Sequence, residues 1–133
     1  MKAIKATVTK GLQIGSMMET CDNSGAKVVR LTMVVGAKTV KGRKPSAGVG
    51  DLIQVSVRSG KQELRTQVHY ALVVRQKKEY RRKSGLRVKF EDNSCILLKD
   101  EKGNPKGTLI KGPIAKEVTE RWTPVAKLAK LVV

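Results

Sequence analysis

The sequence predicts a mainly β protein, a small antiparallel β-barrel finished by two short C-terminal α-helices. Two patterns point there: short apolar stretches alternate with period two, separated by turn residues at close intervals, and the period shifts to a helical one only after Gly112-Pro113. With 133 residues there is room for one modest core, so one domain is expected.

Residues Val28 to Val35 (VVRLTMVV) open the series, with Val29, Leu31, Met33 and Val35 on one parity and Arg30 and Thr32 on the other, as in a half-buried strand. Leu52 to Arg58 repeats this, with Ile53, Val55 and Val57 inward. Val68 to Arg75 (VHYALVVR) is an apolar run rich in β-branched residues, and Cys95 to Leu98 is a shorter one. Met17, Met18 and Met33 read as barrel filling. Asp22-Asn23-Ser24-Gly25, Gly48-Val49-Gly50-Asp51, Ser84-Gly85, Asp92-Asn93 and Gly103-Asn104-Pro105 supply the turns. Near the end, Ala115, Val118 and Trp122 share one helical face, and Val125, Leu128 and Val132 share another after Pro124.

Charge narrows the partner. The chain holds 28 Lys and Arg against 11 Asp and Glu, a formal +17, which a small domain tolerates best beside a polyanion. Two stretches concentrate it. Ala37 to Gly48 is a loop with Lys38, Lys41, Arg43 and Lys44 and no acid; Lys77 to Phe90 (KKEYRRKSGLRVKF) carries Lys77, Lys78, Arg81, Arg82, Lys83, Arg87 and Lys89 against Glu79 alone. A two-residue turn at Ser84-Gly85 would set Lys83 against Leu86, Arg82 against Arg87, Arg81 against Val88 and Tyr80 against Lys89. The Arg82–Arg87 repulsion would then ask for an anion between them, and replacing both arginines would leave the free protein no less stable. Phosphate is that anion, and these eleven cations are the predicted RNA contacts.

Other classes recede. One Trp, two Tyr and one Phe give no aromatic platform for single strands, and no recognition helix or zinc finger spacing exists, which leaves phosphate and shape recognition of folded RNA. Two isolated cysteines and His69 cannot make a four-ligand zinc site, and no triad or cofactor loop surrounds His69, so no enzyme, metal, cofactor or small-molecule substrate is expected. Gly48 to Asp51 lacks the Lys-Ser/Thr of a phosphate loop and reads as a tight turn. Trp122 reads as a core anchor. No stretch has transmembrane length, no basic amphipathic helix suggests a membrane surface, and the first residues do not form an export signal, so a cytoplasmic protein is expected. An architectural nucleic-acid-binding protein is the alternative that charge and fold also permit.

Six motifs then share an order: DNSGA (Asp22 to Ala26), AGVGD (Ala47 to Asp51), ALVVR (Ala71 to Arg75), RRKSG (Arg81 to Gly85), KFEDN (Lys89 to Asn93) and KGP (Lys111 to Pro113). In that order they resemble the universal large-subunit ribosomal protein family L-fourteen across roughly Ile14 to Trp122, and the leader with KGRKPSAGVGD resembles its archaeal and eukaryotic branch. The resemblance implies a five-stranded barrel with a projecting β-ribbon at residues 77–90 and a helical C-terminal part. Residues 1–16 would be a leader, 17–111 the barrel with its ribbon and 112–133 the helical part. It also implies binding to large-subunit ribosomal RNA, an inter-subunit bridge through small-subunit RNA, contacts with neighbouring ribosomal proteins, and a surface used by factors that keep the subunits apart.

Overall fold

The computed structural model describes residues 1–4 and 7–133. Five strands close into a barrel in the order β2 (Met17–Thr20), β3 (Ala26–Val34), β5 (Leu52–Gly60), β6 (Val68–Arg75) and β9 (Ser94–Leu97). Four of the five pairings are antiparallel, but β2 and β9 run parallel, with Glu19 opposite Ser94 and Thr20 opposite Cys95. This corrects the all-antiparallel expectation, and the reason is arithmetic. Directions cannot alternate all the way round a closed ring with an odd number of strands, so one parallel pair is forced. Outside the barrel, β1 (Leu12–Gln13) pairs with β4 (Ser46–Ala47), and β7 (Tyr80–Arg81) pairs with β8 (Arg87–Val88) to form the ribbon.

Alternation in β5 holds: Ile53, Val55 and Val57 line the interior. In β3 it fails after Leu31. The pairing with β5 slips between Leu31 and Met33, so Val34 turns inward while Met33 is left 44% exposed. A bulge inserts one residue and flips the parity beyond it. Met17 also faces out, and of the three methionines read as barrel filling only Met18 is buried.

The apolar runs of β6 and β9 are buried on both faces. Ala71, Val73, Cys95 and Leu97 point into the barrel, whereas Leu72, Val74, Ile96 and Leu98 point out into a second core with Tyr80, Ile114, Val118, Trp122 and Val125. A strand covered on both sides needs no polar parity, which is why these two read as runs and not as alternation. Cys21 belongs to the outer core and Cys95 to the inner one, and both are free thiols.

Two C-terminal helices cover that outer core, α2 (Lys116–Arg121) and α3 (Thr123–Ala126). They are shorter than their apolar spacing suggests. Val132 lies beyond α3 in extended chain that pairs with Ile114, where Val133 N donates to Ile114 O at 2.9 Å, so the expected helical face ends before it. A further helix, α1 (Gln62–Arg65), was not expected from the sequence; it buries Leu64 at one end of the barrel. Trp122 is the anchor of the cap, 2% exposed, its Nε1 donating to Gly50 O at 2.9 Å. Its ring fills the space a side chain at Gly103 would need, at a left-handed φ of 91°.

Candidate nucleic-acid interface

The turn at Gly48 to Asp51 joins the cap to the cationic elements. Asp51 Oδ2 accepts from Gly48 N at 2.9 Å and Asp51 N donates to Gly48 O, so this is a tight turn and not a phosphate cradle. Arg121 and Trp122 fasten it from the other side. Immediately before it, Ser46–Ala47 pairs with Leu12–Gln13 and fixes the end of the basic loop. Within that loop Lys38, Lys41, Arg43 and Lys44 are all exposed, and none forms an ion pair among the described residues.

The neck of the ribbon hangs on one side-chain amide. Gln76 is fully buried; its Nε2 donates to Thr9 O at 2.8 Å and to Lys78 O at 2.9 Å, while its Oε1 accepts from Val49 N at 3.1 Å. One residue therefore ties the N-terminal segment, the ribbon and the Gly48 turn together. Lys77 and Lys78 leave this neck with exposed side chains, and Lys89, just after the returning strand, is exposed too.

The register of the ribbon differs from the expected one. Tyr80 lies opposite Val88 and Arg81 opposite Arg87; Arg82 N donates to Leu86 O and Gly85 N to Arg82 O. The loop is thus Lys83-Ser84-Gly85, three residues ending on a glycine at φ 88°, and every pairing shifts by one. Two arginines do oppose each other, but they are Arg81 and Arg87. Arg87 also meets Glu79 at 2.8 Å in an exposed ion pair that a competing anion can displace at little cost.

Arg82 turns the other way. Its Nε donates to Glu117 Oε1 at 2.7 Å, and its second nitrogen donates to Glu117 Oε2 at 3.2 Å and to the main-chain oxygen of Val133 at 2.7 Å. Tyr80 Oη donates to Glu117 Oε2 at 2.7 Å. Burial alone would raise the Glu117 pKa, but the hydrogen bonds from Arg82 and Tyr80 outweigh it and hold the carboxyl below its ordinary value. Burial, and then the bond to Glu117, push the Tyr80 hydroxyl up. Arg82 is thus already paired, and the ribbon is locked to α2 through it.

A second ion pair supports the root of β9. Arg75 forks onto Asp92, with Nε to Oδ1 at 2.8 Å and a second nitrogen to Oδ2 at 2.9 Å, and also donates to Lys111 O and Pro113 O. The hydrogen bonds from Arg75 draw Asp92 below the usual carboxylate value. ALVVR, KFEDN and KGP, far apart in sequence, meet at this one guanidinium.

The structure joins the roots of the basic loop and the ribbon through Thr9 to Gln13 and Gln76, while their cationic tips share no hydrogen bond or ion pair among the described residues. Between the ribbon and the N-terminal segment runs a groove of about 350 Å³ lined by Thr7, Thr9, Arg81, Arg82, Lys83 and Arg87. Glu117, Gln76 and the two threonines escaped the sequence reading. A buried glutamate 35 residues from its arginine leaves no local signal.

His69 is structural, its Nε2 within 3.1 Å of Leu64 O. Among the described residues no group of three His, Cys, Asp or Glu is placed to hold a metal, and no helix is long and apolar enough to cross a membrane.

Comparison with known proteins agrees with the fold and motifs. The profile of the family described as Ribosomal protein L14p/L23e matches residues 11–133. The chain is 53% identical over its full length, and the full length of the relative, to the large ribosomal subunit protein uL14 of Nanoarchaeum equitans. It is 50% identical to that of Halobacterium salinarum and 47% to that of Methanocorpusculum labreanum, each again over the whole of both chains. A match of this extent, on a closed five-stranded barrel with six motifs in order, means that the chain belongs to the ribosomal protein L14p/L23e family, whose members are structural and not enzymatic.

Proposed function

We propose that the chain is a structural constituent of the large ribosomal subunit and binds its ribosomal RNA through phosphate contacts made by the ribbon and the basic loop. The observation that carries this is the ribbon's outer face. Arg81 and Arg87 are directly opposed and exposed, with Lys83 at the tip. Glu79 offsets Arg87 through an exposed ion pair, while Arg81 and Lys83 have no carboxylate partner among the described residues, which leaves a net cationic face suited to an anion. The names of the full-length relatives support the ribosomal setting. In this reading residues 17–111 form the barrel with its ribbon, 112–133 the helical part and 1–16 a leader, and the protein is cytoplasmic and ribosome-bound.

The test is a salt titration of the full-length protein on a large-subunit ribosomal RNA transcript. Replacing Arg81 and Lys83 by Gln should lower the slope of log affinity against log salt by roughly 1.4 to 1.8, since each phosphate contact contributes about 0.7 to 0.9. An unchanged slope, or tighter binding to duplex DNA at matched salt, would overturn the reading and favour an architectural role outside the ribosome.

We extend the proposal to an inter-subunit bridge with small-subunit RNA, to neighbouring ribosomal proteins and to a subunit anti-association factor. Large subunits carrying a neutralised loop (Lys41→Gln/Arg43→Gln/Lys44→Gln) or ribbon should assemble, and one of the two should pair poorly with small subunits in a sucrose gradient. Full pairing by both would sink the bridge.

A further inference from the structure

We infer that the groove between the N-terminal segment and the ribbon is a seat for one phosphodiester group of the RNA backbone, held jointly by the ribbon's cations and the hydroxyls of Thr7 and Thr9. The inference rests on the RNA-binding reading above and goes beyond it, because it assigns the N-terminal segment a direct part in binding.

Thr7, Val8 and Thr9 alternate. Val8 is half-buried against the outer core and lies under Gly48, where an added Cβ would sit 3.0 Å from Val8 Cγ1. Both threonines are therefore on the opposite parity, exposed and lining the groove. Across from them stand Arg81 and Lys83, neither engaged in an ion pair among the described residues. Glu117 and Glu79 pair with the other two cations of the lining, Arg82 and Arg87, so Arg81 and Lys83 are the cations of the groove that no carboxylate meets among the described residues.

Both walls are held before any ligand arrives. Arg82, in the groove lining, is fixed by Glu117 and by the main-chain oxygen of Val133, while the threonine side is fixed by the Gln76 amide bonded to Thr9 O. Glu117 and Gln76 thus act as positioning residues. A phosphodiester presents two non-bridging oxygens that accept from guanidinium, ammonium and hydroxyl groups alike, and a preformed cleft binds it with little ordering cost.

Hydroxyls bind phosphate without releasing counterions, which separates their contribution from that of the cations. Thr7→Val/Thr9→Val in the full-length protein should weaken binding to the large-subunit RNA transcript about tenfold at every salt concentration while leaving the salt slope unchanged. Thr7→Ser/Thr9→Ser should bind like the parent. The seat falls if the valine variant binds normally while Arg81→Gln/Lys83→Gln still lowers the slope, in which case the RNA-binding reading survives. It also falls if the serine variant loses as much as the valine one, which would trace the loss to methyl packing. If the threonine and the cation variants all bind as the parent does, the RNA-binding reading falls too.

Discussion

Arg82 is the residue whose role changed most between sequence and structure. Its guanidinium is the partner of a Glu117 side chain only 5% exposed, so Arg82→Gln strands a carboxylate beside Tyr80 and should cost about 2 to 4 kcal/mol by chemical denaturation. The expectation that replacing Arg82 and Arg87 together would leave the free protein no less stable is therefore reversed. Arg87→Gln breaks an exposed pair and should stay within about 0.5 kcal/mol of the parent. Acid should report the same network. Glu117 and Asp92 both lie below their ordinary values in the folded chain, so the unfolded chain binds more protons and stability falls as pH drops through the carboxylate range. Denaturation midpoints should be level from neutrality to about pH 5 and decline below it, more steeply for the parent than for Glu117→Gln. A decline equally steep in that variant would show that Glu117 does not carry the effect.

At the scale of elements, Met33 and Val34 make a sharp pair. Lysine at Met33 should be tolerated within about 0.5 kcal/mol, whereas lysine at Val34 puts a charge into the barrel interior and should cost several kcal/mol or prevent folding. The sequence pattern favours the opposite order for these two, and the reason shows what could be read. In β5 nothing interrupts the ladder beside Ile53, Val55 and Val57, so parity alone finds their faces. In β3 the bulge is a property of the β3–β5 pair and leaves no mark in VVRLTMVV. The ribbon repeats the lesson: Ser84-Gly85 announces a turn, but a loop of two or three residues is decided by where Arg82 is anchored, and its anchor lies in α2. The cations were legible as a set and their neighbours were not. The thiols offer another check, since burial pushes Cys21 up to about 12 and Cys95 well above its usual value. Both should resist alkylation in the native state and react together on unfolding. Their contribution to stability is complete below about pH 8.5 and is lost as pH rises toward the folded values, because only the unfolded thiols ionise in that interval.

For the molecule as a whole, a formal +17 makes the free protein its own adversary. Raising salt from about 10 to 200 mM shortens the screening length from roughly 30 to under 10 Å, so the melting midpoint should rise over that interval, and a midpoint that falls would mean the charges are compensated internally. The parallel seam between β2 and β9 also sets an order of events. Cys21 and Cys95 meet across it 74 positions apart, so the ring cannot shut until the last strand has been made. Until then Met17–Thr20 and Val68–Arg75 are open edges, the second of them apolar on both sides, and unpaired edges of that kind recruit other chains. A fragment ending at Glu91 keeps every strand of the barrel but the closing one. It should aggregate from solution, and a synthetic strand spanning Ser94–Leu97 supplied in trans should slow that loss by occupying the vacant place in the ring.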